Sequence, residues 1–182
     1  MLNWQIDSSW TLFLDRDGVI NERIMGGYVT NIDEFFFLQG VPEAIATFTP
    51  LFSNIFVITN QQGIAKKLMT ERNLLDIHSY MIEELSKNKG KITKCYFAPG
   101  FKNEENSSRK PNPTMGLLAQ KEYPTIDFNK SIMVGDTDSD IKFGKNLGMK
   151  TIRIRTEEKI TIEADFTFDS LLEFAKILEY EK

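Results

Sequence analysis

Two aspartates separated by one residue follow an apolar run near the start of the chain. In the segment LFLDRDGVIN, residues 12–21, Asp15 and Asp17 precede a glycine, and a second acidic segment, GDTDSD at 135–140, contains Asp136. Crowded carboxylates repel one another, and Mg²⁺ is a hard cation that prefers carboxylate and carbonyl oxygens. The residue types therefore predict a magnesium site with side-chain ligands from Asp15 and Asp136 and the carbonyl of Asp17.

A bound Mg²⁺ would screen a phosphate dianion and let an anionic carboxylate approach it. Asp15 is then a candidate nucleophile that forms an aspartyl-phosphate, and Asp17 is a candidate general acid and base. Thr59 and the backbone N–H of Asn60 are candidates for holding phosphoryl oxygens, while Lys110 would neutralise charge on the transferring group. This set predicts chemistry on a small phosphorylated metabolite.

These residues follow short apolar segments that have the character of buried strands. The segments are 10–14, 54–59, 92–97, 131–135 and 150–154. Helical patterns alternate with them, at 42–49, after a cap at Thr70, at 112–122 with Asn112 as cap, at 138–148 and at 170–180. The alternation predicts an α/β, Rossmann-like parallel sheet with helices on both faces, in one domain over residues 1–182. In such folds functional residues gather beyond the carboxyl ends of the strands.

Composition and charge restrict the classes of partner. The net charge of −4 argues against a nucleic-acid-binding surface, and no apolar run reaches the ~20 residues that a membrane span needs. Cys95 is the single cysteine, which excludes an internal disulfide and favours a reduced compartment. We therefore expect a cytoplasmic monomer that binds a small molecule, with no nucleic acid and no membrane as partner.

Four motifs carry a family resemblance. DRDGVIN, TNQQGIA, RKPNP and VGDTDSD, in this order and spacing, resemble the motifs of the haloacid dehalogenase superfamily of phosphatases. Over residues 10–156 the chain is similar to the heptose 1,7-bisphosphate and histidinol-phosphate phosphatases of that superfamily. Members of this family are capless, and the short spacings from Asp15 to Thr59 and from Thr59 to Lys110 leave no room for a lid domain.

The resemblance implies a role for each matching position. It implies Asp15 as nucleophile, Asp17 as acid and base, and Thr59 and Lys110 as phosphoryl stabilisers. Magnesium would lie between Asp15, the Asp17 carbonyl and Asp136, with Asp140 orienting Lys110 or a metal-bound water. The residues implied in substrate binding are Gly27, Tyr28, Asn60, Gln61 and Arg109.

One loop departs from the family pattern. Many relatives bind a structural zinc through cysteine and histidine side chains in the loop before the Arg-Lys motif. The corresponding positions here are Ala98, Gly100, Asn106 and Ser108. A zinc site needs about four nitrogen or sulfur ligands, so we predict that this chain binds no zinc.

Three functions remain open from the sequence. The first is hydrolysis of a heptose 1,7-bisphosphate. The second is hydrolysis of histidinol phosphate, whose amine would need carboxylates such as Glu22 or the acidic segment 103–106. The third is a receiver-like module that is phosphorylated without turnover, but such a module has no need of an acid and base at Asp17.

Overall fold

The computed structural model describes Leu2, residues 4–104 and residues 107–180. Its strands are β1 (Thr11–Leu14), β2 (Asn54–Asn60), β3 (Lys94–Ala98), β4 (Ser131–Gly135), β5 (Lys150–Ile154) and β6 (Phe166–Phe168). They form a parallel sheet in the order β3-β2-β1-β4-β5-β6. The predicted α/β class with a parallel sheet is confirmed.

Within the described residues, five helices connect or follow the strands. They are α1 (Val41–Phe48), α2 (Glu71–Lys87), α3 (Thr114–Glu122), α4 (Asp138–Leu147) and α5 (Leu171–Tyr180). Short 3₁₀ turns lie at Ile32–Glu34 and Phe128–Lys130. None of the helices in the described residues is long and apolar enough to cross a membrane.

The sheet is covered on both faces because its strands alternate between two apolar cores. In β1, Leu12 and Leu14 pack into the core formed with α1, α2 and α5, whereas Phe13 packs into the core formed with α3 and α4. A strand buried on both faces reads as a continuous apolar run, which is why the sequence identified β1 so clearly. Between β1 and β3 the only helices among the described residues are α1, α2 and one 3₁₀ turn, which fits a capless architecture.

The main differences from prediction concern β3, β6 and the start of α3. The strand predicted at 92–97 begins at Lys94, and β6 was not predicted because three residues carry too little pattern. Asn112 was predicted to cap α3, but Pro113 occupies the cap position without a side-chain bond. The amide of Asn112 instead donates to the Ser107 carbonyl oxygen at 2.8 Å, so it fixes the loop that precedes the helix.

Gly144 determines how closely α4 approaches the sheet. A Cβ at this position would lie 2.8 Å from Met133 Cβ and 2.8 Å from Thr151 Cγ2, both on strands under the helix. A Gly→Ala change inside a helix normally stabilises by about 0.5–1 kcal/mol. Here we expect Gly144→Ala to lower the free energy of unfolding by about 1–3 kcal/mol, because the core is overpacked. Urea unfolding measures the change.

Ser79→Ala, on the exposed surface of α2, is the control for that measurement. Its effect should stay within about 0.5 kcal/mol. A stabilised Gly144→Ala variant would contradict the close packing of α4.

Candidate active site

The strand order brings the functional residues to one edge of the sheet. β1 lies between β2 and β4, and Leu14 is in register with Val57 and Val134. Asp15 continues this pairing, since its backbone N–H donates to the Val134 carbonyl oxygen at 2.9 Å. Thr59, near the end of β2, and Asp136, directly after β4, therefore lie around Asp15.

Lys110 is the buried cation of this cluster. Its ammonium lies 2.7 Å from Asp15 Oδ1 and 2.6 Å from Asp140 Oδ1, and it donates to the Ile58 carbonyl oxygen at 2.6 Å. Only 4% of the residue is exposed. The Asn60 side-chain amide fixes the Lys110 backbone. Its Oδ1 accepts from the Lys110 N–H at 2.9 Å, and its Nδ2 donates to the Lys110 carbonyl oxygen at 3.2 Å.

Burial and mutual repulsion shift the proton affinities of the carboxylates. Burial first, and then the charge of Asp140, raise the pKa of Asp15 to about 8. The same two causes raise the pKa of Asp136 to about 6. Burial acts to lower the pKa of Lys110, but Asp140 and Asp15 outweigh it and the pKa lies above its usual value. The lysine therefore stays charged, but its single positive charge does not neutralise all the carboxylates around it.

The donor set suits a hard divalent cation. Among the described residues, the one group of side chains that could hold a metal ion is Asp15, Asp136 and Asp140, whose carboxylate oxygens lie within 4.8 Å of one another. Asp136 Oδ1 is buried and accepts no hydrogen bond from the described protein. Gly18 adopts φ +90°, and a Cβ there would lie 2.4 Å from Asp136 Oδ2, so glycine is required beside this carboxylate.

Asp17 is held separately from the other carboxylates. Arg16 Nη2 donates to Asp17 Oδ1 at 2.8 Å and to Oδ2 at 3.0 Å, Asn21 donates to Oδ1 at 3.0 Å, and Gln61 donates to Oδ2 at 2.9 Å. Burial acts to raise the pKa of Asp17, but the Arg16 guanidinium and these hydrogen bonds hold it below its usual value. The carboxylate is therefore a fixed, charged group at the edge of the cavity.

A cavity of about 990 Å³ opens above these residues. Asp15, Asp17, Thr59 and Lys110 reach its surface, whereas Asp136 and Asp140 are buried beneath it. Of the residues expected to bind substrate, Gly27, Tyr28, Asn60 and Arg109 line the cavity.

Gln61 is the one predicted substrate-binding residue that does not line the cavity. Only 1% of the residue is exposed, and its amide points to Asp17 and Thr59. The neighbouring Gln62 lines the cavity instead and accepts a hydrogen bond from the Tyr28 hydroxyl at 3.2 Å. The sequence QQ gives no signal that distinguishes the buried glutamine from the exposed one.

The sequence analysis did not identify the cationic wall of the cavity. Arg23 contacts Asp136 Oδ2 at 3.1 Å and Glu158 at 2.9 Å. The other cations of the wall, besides Arg109, are Lys66, Lys102, Lys142 and Lys159. They come from four separate segments, so no local pattern could have assembled them.

The structure describes only some of the acidic residues and zinc-loop positions that the sequence analysis named. Glu22 does not line the cavity, whereas Glu104 does. Ala98 is buried at the end of β3, and Asn106 lies outside the described residues, as does the second half of the segment 103–106. The absence of zinc stays a prediction.

The fold and the cluster of acidic residues define a hydrolase of the haloacid dehalogenase type. A family model described as HAD-hydrolase-like matches residues 107–174. The crystal structure of D,D-heptose 1,7-bisphosphate phosphatase from B. bronchiseptica, complexed with magnesium and phosphate, is similar with a TM-score of 0.86 and 26% identity. The similarity covers 95% of this chain and 99% of that chain.

Curated relatives narrow the class further. A D-glycero-alpha-D-manno-heptose-1,7-bisphosphate 7-phosphatase from Campylobacter jejuni is 37% identical over 94% of this chain and 95% of its own length. The corresponding beta enzyme from Haemophilus influenzae is 35% identical over 92% of this chain and 96% of its own length. The chain therefore belongs to the heptose-1,7-bisphosphate phosphatase family of the haloacid dehalogenase superfamily. This is a family of phosphoric monoester hydrolases, which argues against the receiver-like alternative.

Removing the Asp17 charge should destabilise the protein. Arg16 is fully buried, and Asp17 is its only carboxylate partner in the described part of the chain. Asp17→Asn leaves this buried guanidinium uncompensated, so we expect the free energy of unfolding to fall by about 2–3 kcal/mol in urea titrations, toward the low end because a quarter of the Asp17 side chain is exposed.

Asp76→Asn is the matched control, since it breaks the exposed pair of Arg72 and Asp76. Its cost should be below about 1 kcal/mol. Equal effects of the two substitutions would show that the Arg16–Asp17 pair has no special weight in stability.

Proposed function

We propose that this chain is a Mg²⁺-dependent phosphatase that removes the 7-phosphate of a D-glycero-D-manno-heptose 1,7-bisphosphate. The observation that carries the proposal is the Asp15–Lys110 pair at the floor of a cavity with a cationic wall. The names of the Campylobacter and Haemophilus relatives support the choice of substrate.

Magnesium would be held by the carboxylates of Asp15 and Asp136 and by the carbonyl of Asp17. The unpartnered oxygen of Asp136 and the short spacing between the carboxylates support this assignment. Bound there, the ion would supply positive charge that screens the phosphate dianion from Asp15.

In the first step, an oxygen of Asp15 attacks phosphorus and the bond from phosphorus to the sugar oxygen breaks. Asp17, which is ionised in the free site, takes up a proton from solvent as the phosphate binds and gives that proton to the leaving sugar oxygen. Approach of the phosphate dianion raises the proton affinity of Asp17, which offsets the effect of Arg16. Lys110 and the Thr59 hydroxyl stabilise the charge on the transferring group.

In the second step, Asp17 takes a proton from water as that water attacks the aspartyl-phosphate. The acyl phosphate bond breaks, phosphate leaves and the Asp15 carboxylate is restored. One residue thus serves as acid and then as base.

The charge of the cavity wall favours a bisphosphate over an amine. Six cations line the wall outside the reacting group, namely Arg23, Lys66, Lys102, Arg109, Lys142 and Lys159. Of the acids that line it, Glu158 is paired with Arg23 and Asp138 with Arg153, which leaves Glu104 against the five other cations of the wall. A second phosphate would be attracted to such a wall, whereas the ammonium of histidinol phosphate would be repelled.

A substrate panel tests the proposal directly. Phosphate release with Mg²⁺ is measured for both anomers of the heptose bisphosphate, histidinol phosphate, other sugar phosphates and an aryl phosphate. We expect kcat/KM for one heptose bisphosphate to exceed that for histidinol phosphate by at least about 100-fold, the value of two well-placed ionic contacts. Asp15→Asn, which is nearly isosteric, should lower phosphate release at least about 10³-fold.

A preference for histidinol phosphate would contradict the proposed substrate. Turnover by Asp15→Asn would contradict the assignment of Asp15 as the nucleophile. Stable phosphorylation of Asp15 in the wild-type chain without phosphate release would replace the enzyme with a phosphoryl-binding module.

Magnesium binding should depend on pH. In the metal-free site the raised pKa values, about 8 for Asp15 and about 6 for Asp136, mean that Asp15 holds a proton near neutral pH and that Asp136 gains one as the pH falls toward 6. Magnesium must displace these protons, so its affinity should increase as the pH rises from 6 to 8, by up to about tenfold per pH unit for each proton released. Calorimetric titrations in buffers of different ionisation enthalpy measure both affinity and proton release.

Asp136→Asn should weaken magnesium binding, whereas Asp127→Asn, at the 3₁₀ turn that precedes the opposite end of β4, should leave it unchanged. An affinity that is constant from pH 6 to 8, with no proton release, would contradict binding of the ion at Asp15 and Asp136.

A further inference from the structure

Gln61 links two residues that the proposed reaction uses separately. Its Nε2 donates to Asp17 Oδ2 at 2.9 Å and to Thr59 Oγ1 at 2.8 Å. Asp17 follows β1 and Thr59 lies on β2, so one amide group joins the ends of two strands. Because Gln61 is 99% buried and absent from the cavity surface, it does not reach a bound substrate.

The Gln61 backbone is itself fixed. Its N–H donates to the Ala98 carbonyl oxygen at 2.8 Å, which anchors it to β3. On the other side of Asp17, Arg16 is fully buried and Asn21 donates to Oδ1. The Asp17 carboxylate is therefore held by three neighbours that are themselves immobilised, and it cannot turn without losing a hydrogen bond.

We propose that Gln61 is a positioning residue that sets the separation between the Asp17 carboxylate and the Thr59 hydroxyl. The inference rests on the proposed phosphatase function. In the proposed reaction, Thr59 contacts the phosphoryl group and Asp17 contacts the leaving oxygen. In the substrate, this oxygen is bonded to the phosphorus atom of the phosphoryl group. A group that fixes one side chain relative to the other therefore aligns proton transfer with breakage of the bond to phosphorus.

Leaving-group dependence separates this role from a general structural one. A sugar phosphate has a poor leaving group and needs the Asp17 proton, whereas an aryl phosphate does not. Gln61→Glu keeps the shape of the side chain but removes the N–H donor. We expect kcat for the sugar phosphate to fall about 10–100-fold with KM changed less than about threefold. The loss for the aryl phosphate should be at least about fivefold smaller.

Gln61→Met is the second variant, because an added carboxylate beside Asp17 could impair folding. It has a similar length and no donor, and it should show the same difference between the two substrates. Magnesium affinity, measured by calorimetry without substrate, should stay within about twofold for Gln61→Met, which adds no charge, since Gln61 hydrogen-bonds to the Asp17 carboxylate and not to the carbonyl that would hold the ion.

Gln120→Glu is the matched control. Gln120 lies on α3, away from the cavity, and its Nε2 donates to the Ile126 carbonyl oxygen at 3.0 Å. The same chemical change at this position should leave both substrates unaffected.

The outcomes are distinct. Equal losses for sugar and aryl phosphates, with lowered thermal stability, would make Gln61 a structural residue only. A change confined to KM would make it a substrate contact, and wild-type rates in both Gln61 variants would also overturn the inference. If the wild-type enzyme hydrolyses another sugar phosphate but not the heptose bisphosphate, only the proposed substrate fails. If the wild-type chain hydrolyses no phosphate ester, the proposed function fails and the inference fails with it.

Discussion

Repulsion among the carboxylates of Asp15, Asp136 and Asp140, buried within 4.8 Å of one another, is the constraint on which the site depends. Lys110 reduces this repulsion by pairing with Asp15 and Asp140. It lies in the loop between β3 and α3, and β2 separates β3 from β1 in the sheet. The parallel sheet makes this possible, because β1, β2 and β4 are neighbours and end at the same edge. Lys110 and Arg23 together carry two positive charges against three carboxylates, which supports the proposed cation site.

Two buried arginines hold the loops that carry this cluster. Arg16 holds the Asp17 side chain, while Arg153 donates to the Asp136 carbonyl oxygen at 2.8 Å and to Asp138 Oδ1 at 2.8 Å. Arg153 also donates to the Ile162 carbonyl oxygen, which connects the acidic loop after β4 to the segment that carries the cavity residues Glu158 and Lys159. A buried guanidinium is costly unless it is paired, so each arginine fixes the geometry of its carboxylate partner in return.

The predictable part of the molecule is the part that depends on local pattern. β1 and β4 were located to within a residue because both of their faces are apolar, and β5 because four of its five residues are buried. The proposed roles of Asp15, Asp17, Lys110 and Asp136 rest on residue types in the segments that follow the strands. Side-chain direction after a strand was not predictable. It depends on a turn in which the Gly18 N–H donates to the Asn21 carbonyl oxygen. Asn21 also forms an isolated antiparallel β-bridge with Phe37, which is distant in sequence. The burial of Gln61 and the assembly of the cationic wall depend on tertiary contacts of the same kind.

The reacting residues at the floor of the cavity, such as Asp15 and Lys110, are separate from the residues of the cationic wall. This separation explains how one site could serve relatives that differ in substrate anomer. The named relatives act at position 7 but are designated alpha or beta, a difference at carbon 1, the opposite end of the sugar. Groups that surround the reacting phosphorus, such as Asp15 and Lys110, cannot sense that difference. The wall is the part of the cavity left to distinguish the anomer, and there Tyr28, Lys66 and Arg109 lie on irregular segments that can change without disturbing the sheet. A cluster fixed by buried charge thus leaves specificity to the loops, and the two can vary independently.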